Sequence, residues 1–529
     1  MRQQLRRTAW LLVVSLALTL PTAAAAPRAT ARARWLAAPV TGAPAPRLAG
    51  SLQRRPARVE AGHRRSSGSS VSSDETPSHQ PLTATVVSSF DALEIGDAGA
   101  SARPPDPTGA VGPGFFMAAV NVAVSVYDRA GVEVLGPMRL QSLFSSLPPN
   151  DTDPKLVYDP YDDAFVLVYL VYSSTKNDIV VVYIPGSTAD DFSTWCGLIV
   201  PGDQVSGDGK QFADYPSVGL TADRVAITTN NFDFDSGLPP GKYDYAQIIS
   251  IKKSELYDPT CTIVPTLRVF SGNQLRDPDG SKAFTLQAAA TVGGTEPTTQ
   301  FLTSFDFNGP AVKSNLVLWR LKKQDGKLKL TKVALSVGKV DYPPYGRQCD
   351  AGTADEWDTG DLRLVNASYD AGAGTLQTAH AVAHQFGGGG MESGVRWYEI
   401  DPASPLSDST VARKGFVGAD GVDTGWPSVV TDSDGVVFVD YSRAGGSECL
   451  GIWAASILPG GSAASQLEVR AGDARYNFAA GVDRWGDFSA IGRDPLDPTQ
   501  VALFNAYALT DGAGSTSLWR EHVALVDDV

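Results

Sequence analysis

The amino-acid sequence predicts an all-β protein: a single seven-bladed β-propeller behind a signal peptide and a disordered Arg/Ala/Pro/Ser-rich segment. Three observations predict this. From residue 85 onward, short β-branched and aromatic runs alternate with Gly, Pro, Asn and Asp. No helical periodicity persists, and Gly 52 with Pro 35 is a turn-rich composition. The runs also recur in seven similar sets, and repeats of about four strands each are typical of propellers.

Residues 1–26 have the layout of an export signal. Arg2, Arg6 and Arg7 are basic, residues 8–20 are apolar, Pro21 breaks the run, and the small residues Ala23–Ala26 suit cleavage. The apolar core is about a dozen residues, short of the roughly 20 that span a bilayer. We therefore expect a secreted protein, extracellular or periplasmic, without a membrane span. An uncleaved membrane anchor is the alternative.

Residues 27–84 are rich in Ala, Arg, Pro and Ser and predict a disordered linker or pro-segment. Nine Arg leave a basic tether to an anionic surface as the alternative. The formal net charge is −14, and the first 84 residues carry +9, so residues 85–529 carry −23. A domain this acidic repels nucleic acid and anionic headgroups, and we expect neither as a partner.

Residues 85–529 hold the seven repeated sets. Each set has an Asp or aromatic-Pro start, two apolar strands joined by a turn, and a later strand that usually bears an aromatic residue. Two β-sandwiches are the alternative, but a sandwich does not need a seven-fold recurrence. The sets are 106–128, 153–184, 214–251, 284–321, 361–400, 426–455 and 487–525.

The four cysteines predict two disulfides in an exported protein. Cys196 and Cys261 lie in the similar segments TWCGLIVP and PTCTIVP, so we pair them and pair Cys349 with Cys449. A four-thiolate metal site is disfavoured because no CxxC spacing occurs. Free buried thiols are the alternative.

Three stretches carry a family resemblance: DPTGAVGP followed by VNVAVSVYD, then DTGDLRLVNASYD, then RWGDFSAIGRDPLDPTQVALFNAYA. They resemble secreted bacterial β-propellers of the sialidase-like group, which are mostly uncharacterised, and the resemblance covers nearly all of 85–529. It implies the fold and export, and no defined reaction. The Asp boxes and arginine motif of true sialidases are absent, since TDSDGVVF (431–438) is only a degenerate match. Sialidase activity is therefore not expected.

Acidic residues at the set starts form the first candidate site. The innermost strands of a propeller run in the same direction, so their starts converge on one mouth of the central channel. Such carboxylates raise one another's pKa unless a cation lies among them, and Ca²⁺ prefers oxygen ligands. A substrate cation, or Lys155, Lys210, Arg363 and Arg484, are alternatives, as is capping of backbone N–H groups within each blade. The residues are Asp106, Asp153, Asp214, Asp361 and Asp487.

Two histidines form the second candidate site. His380 and His384 are four residues apart on one predicted strand, so they share a face. The turn DAGAG (370–374) folds that strand back, which places His384 close to Asp361 and His380 close to Arg363 or Leu364. These residues are a candidate acid/base site, and Arg363 is placed to neutralise an anionic group. Two His with a carboxylate also suit a transition metal, and a structural hydrogen-bond network is the alternative.

Four loops rich in Tyr, Trp, Asp and Gly suit sugar stacking or cation capture: 207–216, 230–246, 341–361 and 386–394. No HExxH, GxSxG or phosphate-loop motif occurs. The sequence therefore favours a binding or surface-interaction module for carbohydrate or another cell-surface polymer. The alternative is an extracellular glycan-degrading enzyme, a glycoside hydrolase or polysaccharide lyase, with its site at the channel mouth.

Overall fold

The structure is a computed structural model and is nearly all β, as predicted. The predicted signal peptide and nearly all of the predicted linker lie outside the described residues. The structure describes residues 34–36, 84–99, 103–144, 147–205, 211–234, 241–295, 297–306, 315–349, 355–478, 481–510 and 518–528.

The first half of the chain forms two leading strands and three sets of four. The leading strands are β1 (Arg34–Leu36) and β2 (Ala84–Glu94). The first set is β3 (Thr108–Val111), β4 (Phe115–Val120), β5 (Ala123–Asp128) and β6 (Glu133–Arg139). The second is β7 (Asn150–Asp159), β8 (Ala164–Tyr172), β9 (Asn177–Pro185) and β10 (Cys196–Pro201). The third is β11 (Gln211–Leu220), β12 (Arg224–Asp233), β13 (Tyr243–Lys252) and β14 (Arg268–Ser271).

The second half continues the pattern. The fourth set is β15 (Gln287–Ala288), β16 (Ala290–Val292), β17 (Gln300–Phe305), β18 (Asn315–Gln324) and β19 (Lys327–Ser336), followed by the short β20 (Gly346–Arg347) and β21 (Glu356–Trp357). The fifth is β22 (Asn366–Asp370), β23 (Thr375–His384), β24 (Glu392–Asp401) and β25 (Thr410–Val417). The sixth is β26 (Val422–Thr431), β27 (Val437–Gly445), β28 (Glu448–Ile457) and β29 (Ser465–Arg470). The last strands are β30 (Val482–Asp483), β31 (Ala490–Arg493), β32 (Val501–Leu509) and β33 (Leu518–Asp528).

Helical structure is confined to single turns in the described residues. One α-helical turn, α1 (Lys253–Leu256), follows the third set's long strands. The 3₁₀ turns are Asp97–Gly99, Leu140–Leu143, Gly186–Thr188, Gly272–Gln274 and Leu406–Asp408. None of these helices is long and apolar enough to cross a membrane.

Neighbouring strands within each set are antiparallel, and the first strand of each set lies innermost. The last set is completed from the other end of the chain, because β2 pairs with β33 to give the order β2-β33-β32-β31. β1 adds a fifth strand beside β10, and β20, β21 and β30 form a small separate sheet. β16 pairs in parallel with β11 and β22, which joins the inner edges of the third and fifth sets.

The innermost strands contact one another in chain order, from β3 through β7, β11, β15, β22, β26 and β31, and β31 contacts β3 again. All of these strands line one cavity of about 300 Å³. Several twisted antiparallel sheets around one cavity are consistent with a β-propeller.

The apolar runs are explained by sheets packed on both faces. Alternate side chains of β8 point to opposite faces of its sheet. Phe165, Leu167 and Tyr169 pack with the first set, whereas Val166 and Val168 pack with the third set. A strand that is covered on both sides needs apolar residues at every position, which is why AFVLVYLVY shows no polar alternation.

Both predicted disulfides are present, Cys196–Cys261 and Cys349–Cys449. No cysteine is left free, so the free-thiol alternative is wrong. Two disulfides are consistent with an oxidising compartment.

Candidate functional site

The strand starts share one backbone geometry. Asp153, Tyr215 and Trp426 each precede a proline and have left-handed backbones, with φ of 54°, 53° and 50°. Each of these residues lies within a register shift of its strand pair. Such bulges bend a strand and re-aim its side chains. The same conformation recurs at Asp106 and Thr285, with φ of 47° and 50°.

The residues that follow these starts place one polar side chain from each set around the cavity. Lys155 is the one charged member of this polar ring. The ring consists of Thr108, Lys155, Ser217, Gln287, Asn366, Ser428 and Ser489.

Lys155 is a buried amine with 7% of its surface exposed. Its Nζ lies 3.5 Å from the ring centroid of Phe488, a cation–π arrangement. Burial lowers the pKa of Lys155 to about 7, although the carboxylates of Asp106, Asp153 and Asp487 oppose this shift. The amine therefore titrates near neutral pH inside the channel.

Asp106 and Asp153 bind backbone N–H groups of a different set. The N–H of Asp487 donates to Oδ1 of Asp106 at 2.8 Å, and the N–H of Tyr215 donates to Oδ2 of Asp153 at 3.2 Å. The side chain of Asn121 joins the two, because its amide N–H donates to Asp106 and its oxygen accepts the N–H of Asp153 at 2.8 Å. These aspartates hold adjacent strand starts together.

The surroundings of Asp106 and Asp153 nevertheless disfavour the ionised forms of both carboxyl groups. Burial, followed by the carboxylates of Asp487 and Asp153, raises the pKa of Asp106 well above its ordinary value. Burial and Asp487 also raise the pKa of Asp153. The neighbouring negative charges therefore add to burial in disfavouring the ionised forms of Asp106 and Asp153.

Asp214 is one residue out of step with Asp106 and Asp153, since Tyr215 has the left-handed conformation of the third set. The Asp214 side chain is half-buried, and no hydrogen bond to its carboxylate occurs among the described residues. Burial, Asp153 and Asp487 raise its pKa to about 8, so the group holds a proton at neutral pH.

Asp361 and Asp487 are ion-paired. Nε of Arg363 lies 2.9 Å from Asp361, and Nη2 of Arg484 lies 2.5 Å from Asp487. The Arg363 guanidinium also lies 4.5 Å from the ring centroid of Tyr215, whose hydroxyl donates to the backbone oxygen of Asp487 at 2.9 Å. Arg363 and Arg484 thus supply positive charge at the mouth, as one of the sequence alternatives expected.

A cation held by all five aspartates does not fit this arrangement. Among the described residues, no group of three or more His, Cys, Asp and Glu side chains is placed to hold a metal ion. Asp361 is bound by Arg363, while Asp106 and Asp153 accept backbone N–H groups. Lys210, another candidate counter-charge, lies outside the described residues.

His380 is a structural residue. It is completely buried, with Nδ1 2.9 Å from the Leu362 carbonyl oxygen and Nε2 2.9 Å from the Tyr398 hydroxyl. Burial lowers its pKa to about 3. Both ring nitrogens are therefore occupied, and the expected contact with Arg363 or Leu364 is replaced by one with Leu362.

His384 lies in an aromatic environment. Its ring stacks on Phe416 at 3.8 Å between centroids and meets Phe386 edge-on at 4.6 Å. The expected contact with Asp361 is not among the contacts of the described residues. The physical reason is a change of strand partner, because the N–H of Ala383 donates to the backbone oxygen of Asp341 at 3.0 Å.

Two exposed tyrosines lie in the loop that precedes the Asp361–Arg363 pair in the chain. Tyr342 and Tyr345 are 52% and 54% exposed. Burial, followed by the Asp361 carboxylate, raises the pKa of Tyr342. The loop that carries Tyr345 is attached to the segment just before Asp361, since the Thr359 hydroxyl donates to the backbone oxygen of Pro344 at 2.8 Å. The sequence marked this loop as aromatic but did not single out these two rings.

No family model and no curated protein matches the chain. Solved structures similar to it include the NanB sialidase from Streptococcus pneumoniae, at 9% identity and TM-score 0.38, covering 78% of this chain and 81% of that one. The α-L-arabinofuranosidase Arb93A from Fusarium graminearum has 10% identity and TM-score 0.36, covering 82% and 98%. The GH43 endo-arabinanase from Bacillus licheniformis has 13% identity and TM-score 0.28, covering 58% and 96%.

Proposed function

We propose that this chain is an exported seven-bladed β-propeller that binds glycans at the mouth of its central channel. The closed sequence of contacts between innermost strands supports one ring of seven blades spanning 85–529. The two disulfides support export, with residues 1–26 as signal peptide and 27–84 as a linker.

The proposal is carried by the exposed Tyr342 and Tyr345, whose loop is hydrogen-bonded to Thr359, two residues before Asp361. Sugar rings present apolar C–H faces and hydroxyl edges, so they bind where aromatic faces adjoin charged hydrogen-bonding groups. Arg363 is fixed between Asp361 and the Tyr215 ring, which holds its guanidinium in place before a ligand arrives. A fixed donor loses little freedom on binding.

A panel of soluble polysaccharides and oligosaccharides, measured by calorimetry, tests the proposal. We expect at least one glycan to bind wild type and to bind Tyr345→Ala about tenfold more weakly, consistent with loss of a stacking contact. Leu496→Ala is the matched control, because Leu496 is 61% exposed and follows the far end of inner strand β31. Equal loss in both variants, or no binding by wild type to any member of the panel, would contradict the proposal.

Glycan cleavage is the second candidate function, and the unequal carboxylates favour it. Asp214 is protonated at neutral pH, whereas Asp487 is paired with Arg484. Glycoside hydrolysis uses one carboxylic acid that donates a proton and a second carboxyl group that acts as base or nucleophile. Asp214 then protonates the leaving oxygen, and Asp487 acts as base or nucleophile.

Release of reducing ends and of unsaturated product from the same panel separates the two functions. Catalysis by this pair predicts that Asp214→Asn and Asp487→Asn abolish release, while glycan binding by Asp214→Asn persists. His384→Ala serves as control, since His384 packs between aromatic rings rather than at the mouth. Binding without release by wild type leaves the binding module as the function.

A further inference from the structure

The β18–β19 hairpin carries a cluster of positive charges, although residues 85–529 as a whole are strongly acidic. Strands β18 and β19 continue past the end of their neighbour, because the first residue of β17, Gln300, pairs with Leu321. Residues 322–329, here called the lysine arm, therefore project as two strands from the fourth set. The arm contains Lys322, Lys323, Lys327 and Lys329, all exposed, and one acidic residue, Asp325.

Three of the four lysines of the arm lie on the same face of the hairpin. Lys322 pairs directly across the strands with Lys329, so the two ammonium groups share a face. Lys327 lies two residues before Lys329 and shares that face as well. Like charges that are directly opposite destabilise a strand pair. Asp325 contacts Lys329 at 3.1 Å but is 89% exposed, so it offsets little of this repulsion.

The position of the arm separates it from the channel mouth. β15 runs away from the mouth, β17 returns toward it, and β18 runs away again, because these strands are successively antiparallel. The tip of β18 thus lies at the opposite end of the molecule from Asp106 and Asp153. A ligand on the arm leaves the mouth accessible.

We propose that the lysine arm binds a linear anionic polysaccharide, one with repeated carboxylate or sulfate groups. Charge complementarity argues for an anion, and the spacing of Lys327 and Lys329, about 6.5–7 Å along one strand, suits repeated charges on one polymer. This site is separate from the glycan site proposed at the mouth and does not depend on it.

Two other polyanions fit the arm less well. Single-stranded nucleic acid is bound through aromatic stacking as well as charge, and the sequence KKQDGKLK has no aromatic residue. A membrane presents a broad anionic plane, which would bring headgroups against the rest of a domain whose residues 85–529 carry −23. A single polymer chain touches only the arm, since charges beyond about 8–10 Å are screened at physiological salt.

The test measures binding of full-length protein to a sulfated polysaccharide, a polyuronate and neutral dextran at several salt concentrations. Lys322→Gln/Lys329→Gln is expected to weaken binding of the anionic chains about tenfold at low salt and to reduce its salt dependence. Lys242→Gln/Lys252→Gln is the matched control, because both lysines are exposed and the net charge changes equally. The control is expected to bind like wild type.

Three outcomes would overturn the proposal. Equal weakening in the arm variant and the control would show that net charge, not the arm, binds the polymer. If wild type bound only anionic vesicles or an oligonucleotide, and none of the anionic polysaccharides, the arm would belong to another class of partner. No anionic chain bound by wild type, with aggregation of the arm variant, would mean that these lysines protect an exposed strand edge, as edge lysines do.

Discussion

At the residue scale, the acidic mouth combines backbone binding with unusual protonation. Asp106 and Asp153 each accept an N–H from the start of a different set, so their carboxylates are part of the structure. Asp214 has no such bond among the described residues, and its raised pKa of about 8 reflects burial and the neighbouring Asp153 and Asp487. Of the five aspartates, two are therefore structural, and Asp214 is the one for which the described residues show no hydrogen bond or ion pair.

Asp214→Asn should remove a pH dependence of stability. Between about pH 4 and 8, folded Asp214 keeps a proton that the unfolded chain releases, so its contribution to stability falls as pH rises through this window. We expect the variant to match wild type near pH 4 and to exceed its free energy of unfolding by about 1–2 kcal/mol at pH 8, a figure discounted for partial exposure. Denaturant unfolding at the two pH values measures this, and a constant difference between the proteins would refute it.

His380→Gln should remove a pH dependence of the opposite sign, one that lowers stability at acid pH. Folded His380 stays neutral down to about pH 3, whereas the unfolded side chain is protonated below about 6.5, so stability falls as pH drops between these values. We expect wild type to lose about 4 kcal/mol more than the variant between pH 6.5 and 3. Urea titrations across that range measure the difference, and parallel curves for the two proteins would count against it.

The His384 prediction shows where sequence pattern stops being sufficient. Counting back from the DAGAG turn is correct as far as Asn366 and Ala379, which pair as expected. Beyond that point, residues 361–365 leave the sheet and Asp341 takes their place beside Ala383. Periodicity specifies a strand and its turn, but it carries no information about a loop inserted from twenty residues earlier in the chain.

At the element scale, several sets begin with a residue followed by proline, and this recurring pair explains why the repeats could be recognised in the sequence. A proline at the second position of a bulge fixes one backbone angle and needs no N–H partner. Asp153, Tyr215 and Trp426 all precede such a proline. The sequence revealed this spacing, but the one-residue offset between Asp214 and Asp153 depends on which residue is left-handed, and several residue types accept that conformation here.

The disulfides fasten long loops to the scaffold at the same scale. Cys196 and Cys261 are separated by 65 residues and Cys349 and Cys449 by 100. Closing loops of this size removes unfolded-state entropy worth about 4–5 kcal/mol each. We expect Cys349→Ser/Cys449→Ser to lower the free energy of unfolding by about 3–5 kcal/mol, measured by denaturant titration. A reductant should then affect wild type more than this variant, and equal sensitivity would argue against the assignment.

At the scale of the whole molecule, closure of the ring depends on a strand from outside the repeats. β2 pairs with β33 and brings Phe90 against Phe116 and Tyr127 of the first set, at 5.4 and 5.0 Å between centroids. The first and last sets are thereby joined by both backbone pairing and a shared aromatic cluster. A sheet order that runs from one end of the chain to the other can be recognised only when both ends are known to meet.

Phe90→Ala tests whether this closure stabilises the whole ring. Phe90 is 9% exposed and packs between the last and first sets, so its loss should reduce the free energy of unfolding by about 3–4 kcal/mol. Val87→Ala on the same strand is the control, because Val87 is 50% exposed and its truncation should cost less than about 0.5 kcal/mol. If the sets fold as one cooperative unit, fluorescence and circular dichroism should report the same lowered midpoint for Phe90→Ala. Separate transitions, with only part of the signal shifted, would mean that the sets are stable individually and that β2 closes a ring whose other members do not require it.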